Sequence, residues 1–197
     1  MSLTVETHTH PDAIAPYLDQ LADLRITVFQ AWPYLYDGDP DYEARYLARF
    51  ANADNAVIVL ARDGERVVGA ATGAPLVHEH AAFLAPFKAG NWDIDRIFYN
   101  CESVLLPEYR GRGVYRRFFE EREQWARDLG TFTHAVFCGV KRPDTHPLKP
   151  KAFQPLDPVW RHFGYTPVDG LVGQFAWTDI DQDHETEKPM QFWMKPL

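Results

Sequence analysis

The chain has 197 residues, of which 46% are apolar, 14% aromatic and 24% charged. That composition excludes disordered, collagenous and coiled-coil readings, and the length suits one domain over residues 1–197 whose core needs no disulfide or metal staple. With 28 acidic and 20 basic residues the formal charge is −8, which argues against nonspecific binding to a nucleic-acid backbone; a cationic or amine substrate would be electrostatically welcome, but net charge alone names no partner.

In chain order, Leu3 to Glu6 has the pattern of an edge strand. From Pro11 to Ala31 the apolar positions Ile14, Leu18, Leu21, Leu24, Ile26 and Phe29 recur at helical spacing, with Pro11 at a helix start. Trp32-Pro33-Tyr34-Leu35-Tyr36-Asp37-Gly38-Asp39-Pro40 is a loop by its breakers, and it carries three large aromatics. Asp41 is the expected N-cap of a second helix to about Phe50. Ala56–Ala61 and Arg66–Ala74 are β-rich runs, with Asp63-Gly64 as a hairpin signal between them. His78 to Lys88 predicts a short helix, Gly90 to Ile97 a connector, and Phe98 to Leu106 a strand.

The clearest helix runs from Gly113 to Leu129, with Gly130 just past its end. Val114, Phe118, Trp125 and Leu129, flanked by Tyr115, Phe119 and Ala126, form its apolar face, and charges are expected on the opposite face. His134 to Val140 predicts a strand. Five prolines between Arg142 and Pro158 make a long loop, and Val159 to Phe163 closes a short helix. Leu171–Trp177 and Met190–Met194 are the last expected strands. Mixed strands and helices without a linker predict an α/β or α+β sandwich.

Two cysteines, Cys101 and Cys138, make no disulfide framework, and no CxxC or Cys/His cluster suggests a metal. Both fall in strand-like runs and are read as buried free thiols. The first residues lack a basic segment followed by an apolar stretch, and no run approaches the ~18 apolar residues of a membrane span. A cytoplasmic protein with no membrane partner is expected. A homodimer is compatible with the sequence.

The informative segment runs from Cys101 to Arg117: a strand, a proline-marked turn, a loop with Gly111 and Gly113, then a helix. Such a turn points free backbone N–H groups outward at a helix N-terminus, where the dipole favours an anion and glycine permits close approach. Arg110, Arg112, Arg116 and Arg117 crowd this turn in an otherwise acidic chain. Two of them sit in the first helical turn, where a cation is disfavoured by roughly a few tenths of a kcal/mol. A bound phosphate resolves that conflict, although an Arg116–Glu120 pair offers a local alternative for one of them. The turn is too short for a P-loop, and Arg116 stands where a dinucleotide fingerprint would need its third glycine.

Leu106-Pro107-Glu108-Tyr109-Arg110-Gly111-Arg112-Gly113 resembles motif A of the GNAT superfamily of N-acetyltransferases, R/Q-x-x-G-x-G/A between the fourth strand and the third helix. The resemblance covers about residues 99 to 130. It implies a mixed, largely antiparallel central sheet flanked by helices, with acetyl-CoA as acyl donor. It implies that the pyrophosphate lies on Arg110, Gly111, Arg112, Gly113, Val114 and Tyr115, and that the backbone of Val104 and Leu105 bonds the pantetheine arm. Tyr115 departs from the pattern, which has glycine or alanine there.

The implied reaction is direct transfer of an acetyl group to the amine of a small-molecule or peptide acceptor. It needs a proton acceptor for the amine, donors for the oxyanion and help for the leaving thiolate. Glu102, acidic within an apolar strand, is the candidate base; an ion-pair role competes, and a shift of one residue in register would turn it to the other face. The family commonly carries a tyrosine four residues before a Gly-Phe or Gly-Tyr pair. That position here is Trp160, which has no hydroxyl, leaving His146 and His162 as nearby candidates. Trp32, Tyr34 and Tyr36 are the candidate acceptor-binding residues, with Asp37, Asp39 and Asp41 beside them, and the loop after Arg142 forms a second wall. The competing reading is a non-catalytic acyl-CoA-binding module.

Overall fold

A computed structural model describes residues 3–197. Its elements, in order, are β1 (Leu3–His8), α1 (Pro11–Ile14), α2 (Leu18–Phe29), α3 (Pro40–Ala51), β2 (Val57–Asp63), β3 (Arg66–Pro75), α4 (Ala81–Ala89), β4 (Ile97–Leu105), α5 (Val114–Asp128), β5 (His134–Val140), α6 (Asp157–His162), β6 (Thr166–Trp177) and β7 (Thr186–Pro196). The seven strands form one sheet in the order β1-β2-β3-β4-β5-β7-β6. Every neighbouring pair is antiparallel except β4 and β5.

The expected first helix is broken. Pro16 lacks an N–H, and Ala15–Tyr17 tightens into a 3-10 turn between α1 and α2. The N-cap of α3 is Asp39 rather than Asp41: its carboxylate accepts from the N–H groups of Asp41 (2.9 Å) and Tyr42 (3.1 Å), with Pro40 in the first turn. β6 and β7 extend beyond the expected strands as one long hairpin.

β2 and β3 are buried almost throughout because both sheet faces are covered. α5 packs on one face across β1 to β4, and α2 and α3 cover the other. The apolar stripe of α5 places Val114, Phe118 and Ala126 in the core. Contrary to the expected division of faces, Arg122 and Glu123 are buried as well, at 1% and 4% exposure.

The burial of Arg122 follows from an irregularity in β4. Ala71 faces Ser103 and Gly73 faces Asn100, so Thr72 alone opposes Cys101 and Glu102. This β-bulge shifts the alternation. Asn100 points to the α5 face, where it meets Tyr165 (2.9 Å), and Ser103 returns to that face beside Arg122. Glu102 is turned to the α2 face. The guanidinium of Arg122 sits under the bulge and donates to the carbonyls of Thr72 (3.0 Å) and Glu102 (2.8 Å), to Ser103 Oγ (2.9 Å) and to the Phe118 carbonyl (3.0 Å). No carboxylate pairs with it among the described residues. Arg122→Met removes every one of these donors, among them those to the buried Thr72 and Glu102 carbonyls, so it is expected to lower the unfolding free energy by about 3 kcal/mol. Equilibrium urea unfolding reads this, and a loss below about 0.5 kcal/mol would mean that the carbonyls find other partners.

Candidate active site

The parallel β4–β5 ladder is short: only Ile97, Phe98 and Tyr99 pair, with His134, Ala135 and Val136. Beyond that the strands part, and a cleft of about 540 Å³ opens between them. Glu102, Tyr115, Trp32, Tyr34, Trp160 and Arg142 are among its lining residues. The site thus brings together residues from β4, α5, α6, the loop before α3 and the loop after β5. Val104 and Leu105 pair with Ala70 and Gly69 of β3 on one side, while no β5 residue pairs with them on the other.

The glycine turn lies at the surface outside this cleft. Gly113 caps α5 in the left-handed region (φ 79°), and no side chain caps the helix. The first intrahelical acceptor bond from this end is Arg117 N–H to the Gly113 carbonyl (3.2 Å), leaving the N–H groups of Val114, Tyr115 and Arg116 without helical partners. Gly111 also has positive φ (73°), and a Cβ at either glycine would meet nothing within 4 Å. Arg110 is exposed and makes no side-chain bond among the described residues. Arg112 donates to the Glu108 carbonyl (3.0 Å) and lies over the Tyr109 ring. The helical pair that forms here is Arg117–Glu121 rather than Arg116–Glu120. Free N–H groups, open space over two glycines and unneutralised guanidinium groups fit a diphosphate.

Glu102 is buried, at 6% exposure. Its Oε2 accepts from Tyr46 Oη (3.0 Å) and pairs with Arg25 (2.8 Å), which also pairs with Glu43. Oε1 has no hydrogen-bond partner. The ion pair thus forms on one oxygen, while the other is buried and without a hydrogen-bond partner.

The loop before α3 is tied down by Arg142. Its guanidinium donates to the carbonyls of Pro33 (2.8 Å) and Tyr34 (2.5 Å) and forms a two-point pair with buried Asp179 (2.6 and 2.9 Å). Burial would push the Asp179 carboxyl up, but the bonds from Arg142 and Lys188 hold it below its ordinary value. Trp32 packs against His146 and Phe153, and Tyr34 against Phe29 and Trp177. Tyr36 does not join the cleft; its hydroxyl accepts from the Asp39 N–H (3.1 Å). Asp39 is spent on the α3 cap, and Asp37 and Asp41 also lie outside the lining. His146 reaches the rim only through Trp32, and His162 is exposed away from the cleft. Cys101 and Cys138 are free, and burial pushes both thiols up, Cys138 to about 12, which disfavours thiolate chemistry.

Arg122, Arg25, Arg142 and Glu79 escape the sequence reading. For Arg122 a signal exists: it falls four residues after Phe118 on the apolar stripe of α5. The other three depend on partners far away in the chain. Glu79 lies against Cys101, and its buried Oε2 has no hydrogen-bond partner but lies 3.8 Å from the Arg49 guanidinium; burial pushes its carboxyl up to about 7, with Arg49 opposing and Glu102 adding to the rise.

The family model for the acetyltransferase (GNAT) family matches residues 20–148, and the chain belongs to that family. A search of curated proteins found no match. Among solved structures, ribosomal-protein-alanine N-acetyltransferase from Brucella melitensis is 14% identical with a TM-score of 0.61, covering 98% of this chain and 99% of its own. A Salmonella typhimurium protein solved with its cofactor acetyl-CoA is 13% identical with a TM-score of 0.59, covering 100% and 95%. An aminoglycoside 6'-N-acetyltransferase complexed with coenzyme A is 15% identical with a TM-score of 0.60, covering 97% and 96%. At these identities the likeness is one of fold, and it bears out the mixed, mostly antiparallel sheet flanked by helices. Among the described residues no helix is long and apolar enough to cross a membrane, and no cluster of three metal-ligating side chains forms.

The raised Glu79 carboxyl makes a prediction with a definite sign. Its folded value of about 7 lies above the ordinary 4.5, so its contribution to stability is fully present below pH 4.5 and is lost as pH rises through 7. Glu79→Gln should therefore flatten the fall in stability over that window and be more stable than the parent above pH 7, by about 3 kcal/mol. Urea unfolding at several pH values checks this; parallel curves for the two proteins would contradict it.

Proposed function

We propose that the chain, as a single domain over residues 1–197, is an acetyl-CoA-dependent N-acetyltransferase acting on the amine of a small-molecule or peptide acceptor. One observation carries the reading: the uncapped, glycine-flanked N-terminus of α5 stands beside a sheet that parts after Tyr99. A diphosphate on the N–H groups of Val114, Tyr115 and Arg116, with Arg110 and Arg112 around it, would send the pantetheine arm along the unpaired edge of β4 near Val104 and Leu105. The thioester would then reach the cleft at the bulge, within the domain of Glu102. Membership of the acetyltransferase family supports this, as do structures of the same fold solved with acetyl-CoA or coenzyme A.

In this reading the acceptor enters past Trp32 and Tyr34. Glu102 takes the amine proton on its free Oε1, directly or through a water, while Arg25 and Tyr46 keep the carboxylate oriented through Oε2. The neutral amine attacks the thioester carbonyl, the C–S bond breaks with its electron pair on sulfur, and the acetyl group leaves on nitrogen as an amide, while the proton that the nitrogen sheds passes through solvent to the thiolate and gives CoA thiol. The engagement of Glu102 by Arg25 and Tyr46 also supports a second reading, a non-catalytic acyl-CoA-binding module in which Glu102 is purely structural.

Two measurements separate these. Replacing Arg110 and Arg112 together by glutamate should weaken acetyl-CoA binding at least about tenfold by calorimetry, since two charge-assisted phosphate contacts are reversed; unchanged affinity removes the diphosphate site. Glu102→Gln should lower CoA thiol release with acetyl-CoA and a panel of amines by about a hundredfold while leaving acetyl-CoA affinity intact. Tight binding without turnover in the parent protein selects the binding module.

A further inference from the structure

Two departures from the family's sequence pattern meet in the cleft. Tyr115 stands where motif A has a small residue, and Trp160 where the tyrosine was expected. They are 45 residues apart, and the Trp160 Nε1–H donates to Tyr115 Oη at 3.0 Å. Both line the cleft that Glu102 lines.

The pair is held firmly. The Tyr115 ring packs edge-on to Phe119 (5.3 Å) and beside Phe163. The Trp160 ring packs against Phe137 (5.0 Å) and Trp193 (5.1 Å). Gly139 of β5 makes room for the indole, because a Cβ there would come within 2.9 Å of Trp160 Cη2. An indole N–H can only donate, so the bond uses a lone pair of the Tyr115 oxygen. The phenolic proton is left over, and it has no acceptor among the described residues. A hydroxyl with a fixed oxygen and an uncommitted proton, facing a cleft, is a prepared donor.

We propose that the Tyr115 hydroxyl, oriented by Trp160, donates the hydrogen bond that receives the CoA sulfur as the thioester is cleaved. The proposal rests on the acetyl-CoA reading above. As the C–S bond breaks, its electron pair passes to sulfur, and the resulting thiolate is stabilised by the O–H without full proton transfer; the proton shed by the acceptor nitrogen as the amide forms reaches it through solvent. Burial pushes the Tyr115 hydroxyl above its ordinary value, against smaller effects of the Trp160 bond and the Arg122 charge, so the phenol keeps its proton throughout neutral pH. The other ionisable groups lining the cleft are Tyr34 from the loop before α3, Cys101 and Glu102 of β4, Arg122 of α5, Cys138 of β5, Lys141, Arg142, Asp144 and Lys149 of the loop after β5, and Asp157 and Arg161 of α6. Burial pushes Tyr34, Cys101 and Cys138 up, and they stay protonated as well.

The test needs no acceptor. The thiol of bound CoA is titrated through its thiolate absorbance, as a difference against the complex with desulfo-CoA. In the parent protein the Tyr115 bond favours the thiolate. In Tyr115→Phe, which keeps the ring and its packing, the bound thiol should titrate about one pH unit higher, with affinity for desulfo-CoA retained. Trp160→Phe, which frees the hydroxyl to rotate, should give a smaller shift in the same direction. Identical titration of bound CoA in the parent and in Tyr115→Phe overturns the proposal while leaving acetyl-CoA binding standing. Failure of the parent protein to bind CoA and desulfo-CoA overturns the acetyl-CoA reading, and this proposal with it.

Discussion

The site depends on a charge with no counter-charge. Arg122 is buried under the β4 bulge, and it is satisfied by carbonyls and a hydroxyl rather than by a carboxylate. A bulge leaves main-chain groups out of the ladder, and in a sheet covered on both faces water cannot replace the lost partners. The guanidinium supplies the missing donors in a planar array that suits two carbonyls at once. Because the bulge is held, Glu102 faces Arg25 and Tyr46 while Ser103 and Asn100 remain on the α5 side. One extra residue in β4 thereby decides which face of the sheet carries the acid.

The parting of β4 from β5 is the second constraint, and it works with the first. Three residue pairs are enough to keep the two halves of the sheet in one piece. The unpaired edge that follows is tolerable because it lines a cleft rather than bulk core, where orphaned N–H and C=O groups would be destabilising. The cleft walls then come from elements that share no ladder: α5 on one side, α6 and β5 on another, and the aromatic loop over the top. Side-chain bonds join these walls, notably Trp160 to Tyr115 and Arg142 to the loop backbone.

Much of this was legible in the sequence, for identifiable reasons. The strand, glycine turn and helix from Cys101 to Leu129 are local: turn residues, dipole and apolar period all act within a few positions. β5 is legible as a run of apolar and β-branched residues from His134 to Val140, the limits the structure has. What was not legible is relational. The bulge is a mismatch between β4 and β3, which neither strand reveals alone. Arg25 with Glu43, and Arg142 with Asp179, are pairs across 18 and 37 residues. Arg122 looked like one more charge on a charged helix, although its spacing from Val114 and Phe118 placed it on the buried stripe. Tyr115 and Trp160 were both visible as anomalies, but only the fold brings them within bonding distance. Tyr36 belonged with Trp32 and Tyr34 by proximity in sequence, yet the turn before α3 uses its hydroxyl for the backbone of Asp39.

Arg142 grips the loop before α3 only by the carbonyls of Pro33 and Tyr34. A clamp on the main chain is indifferent to which side chains that stretch displays. Residues 32 and 34 could therefore be exchanged over generations without loosening the anchor, while the glycine turn at the head of α5 stays as it is. Such an arrangement separates what must be kept from what can drift, and it would let one scaffold vary the side chains at the mouth of this cleft a single substitution at a time.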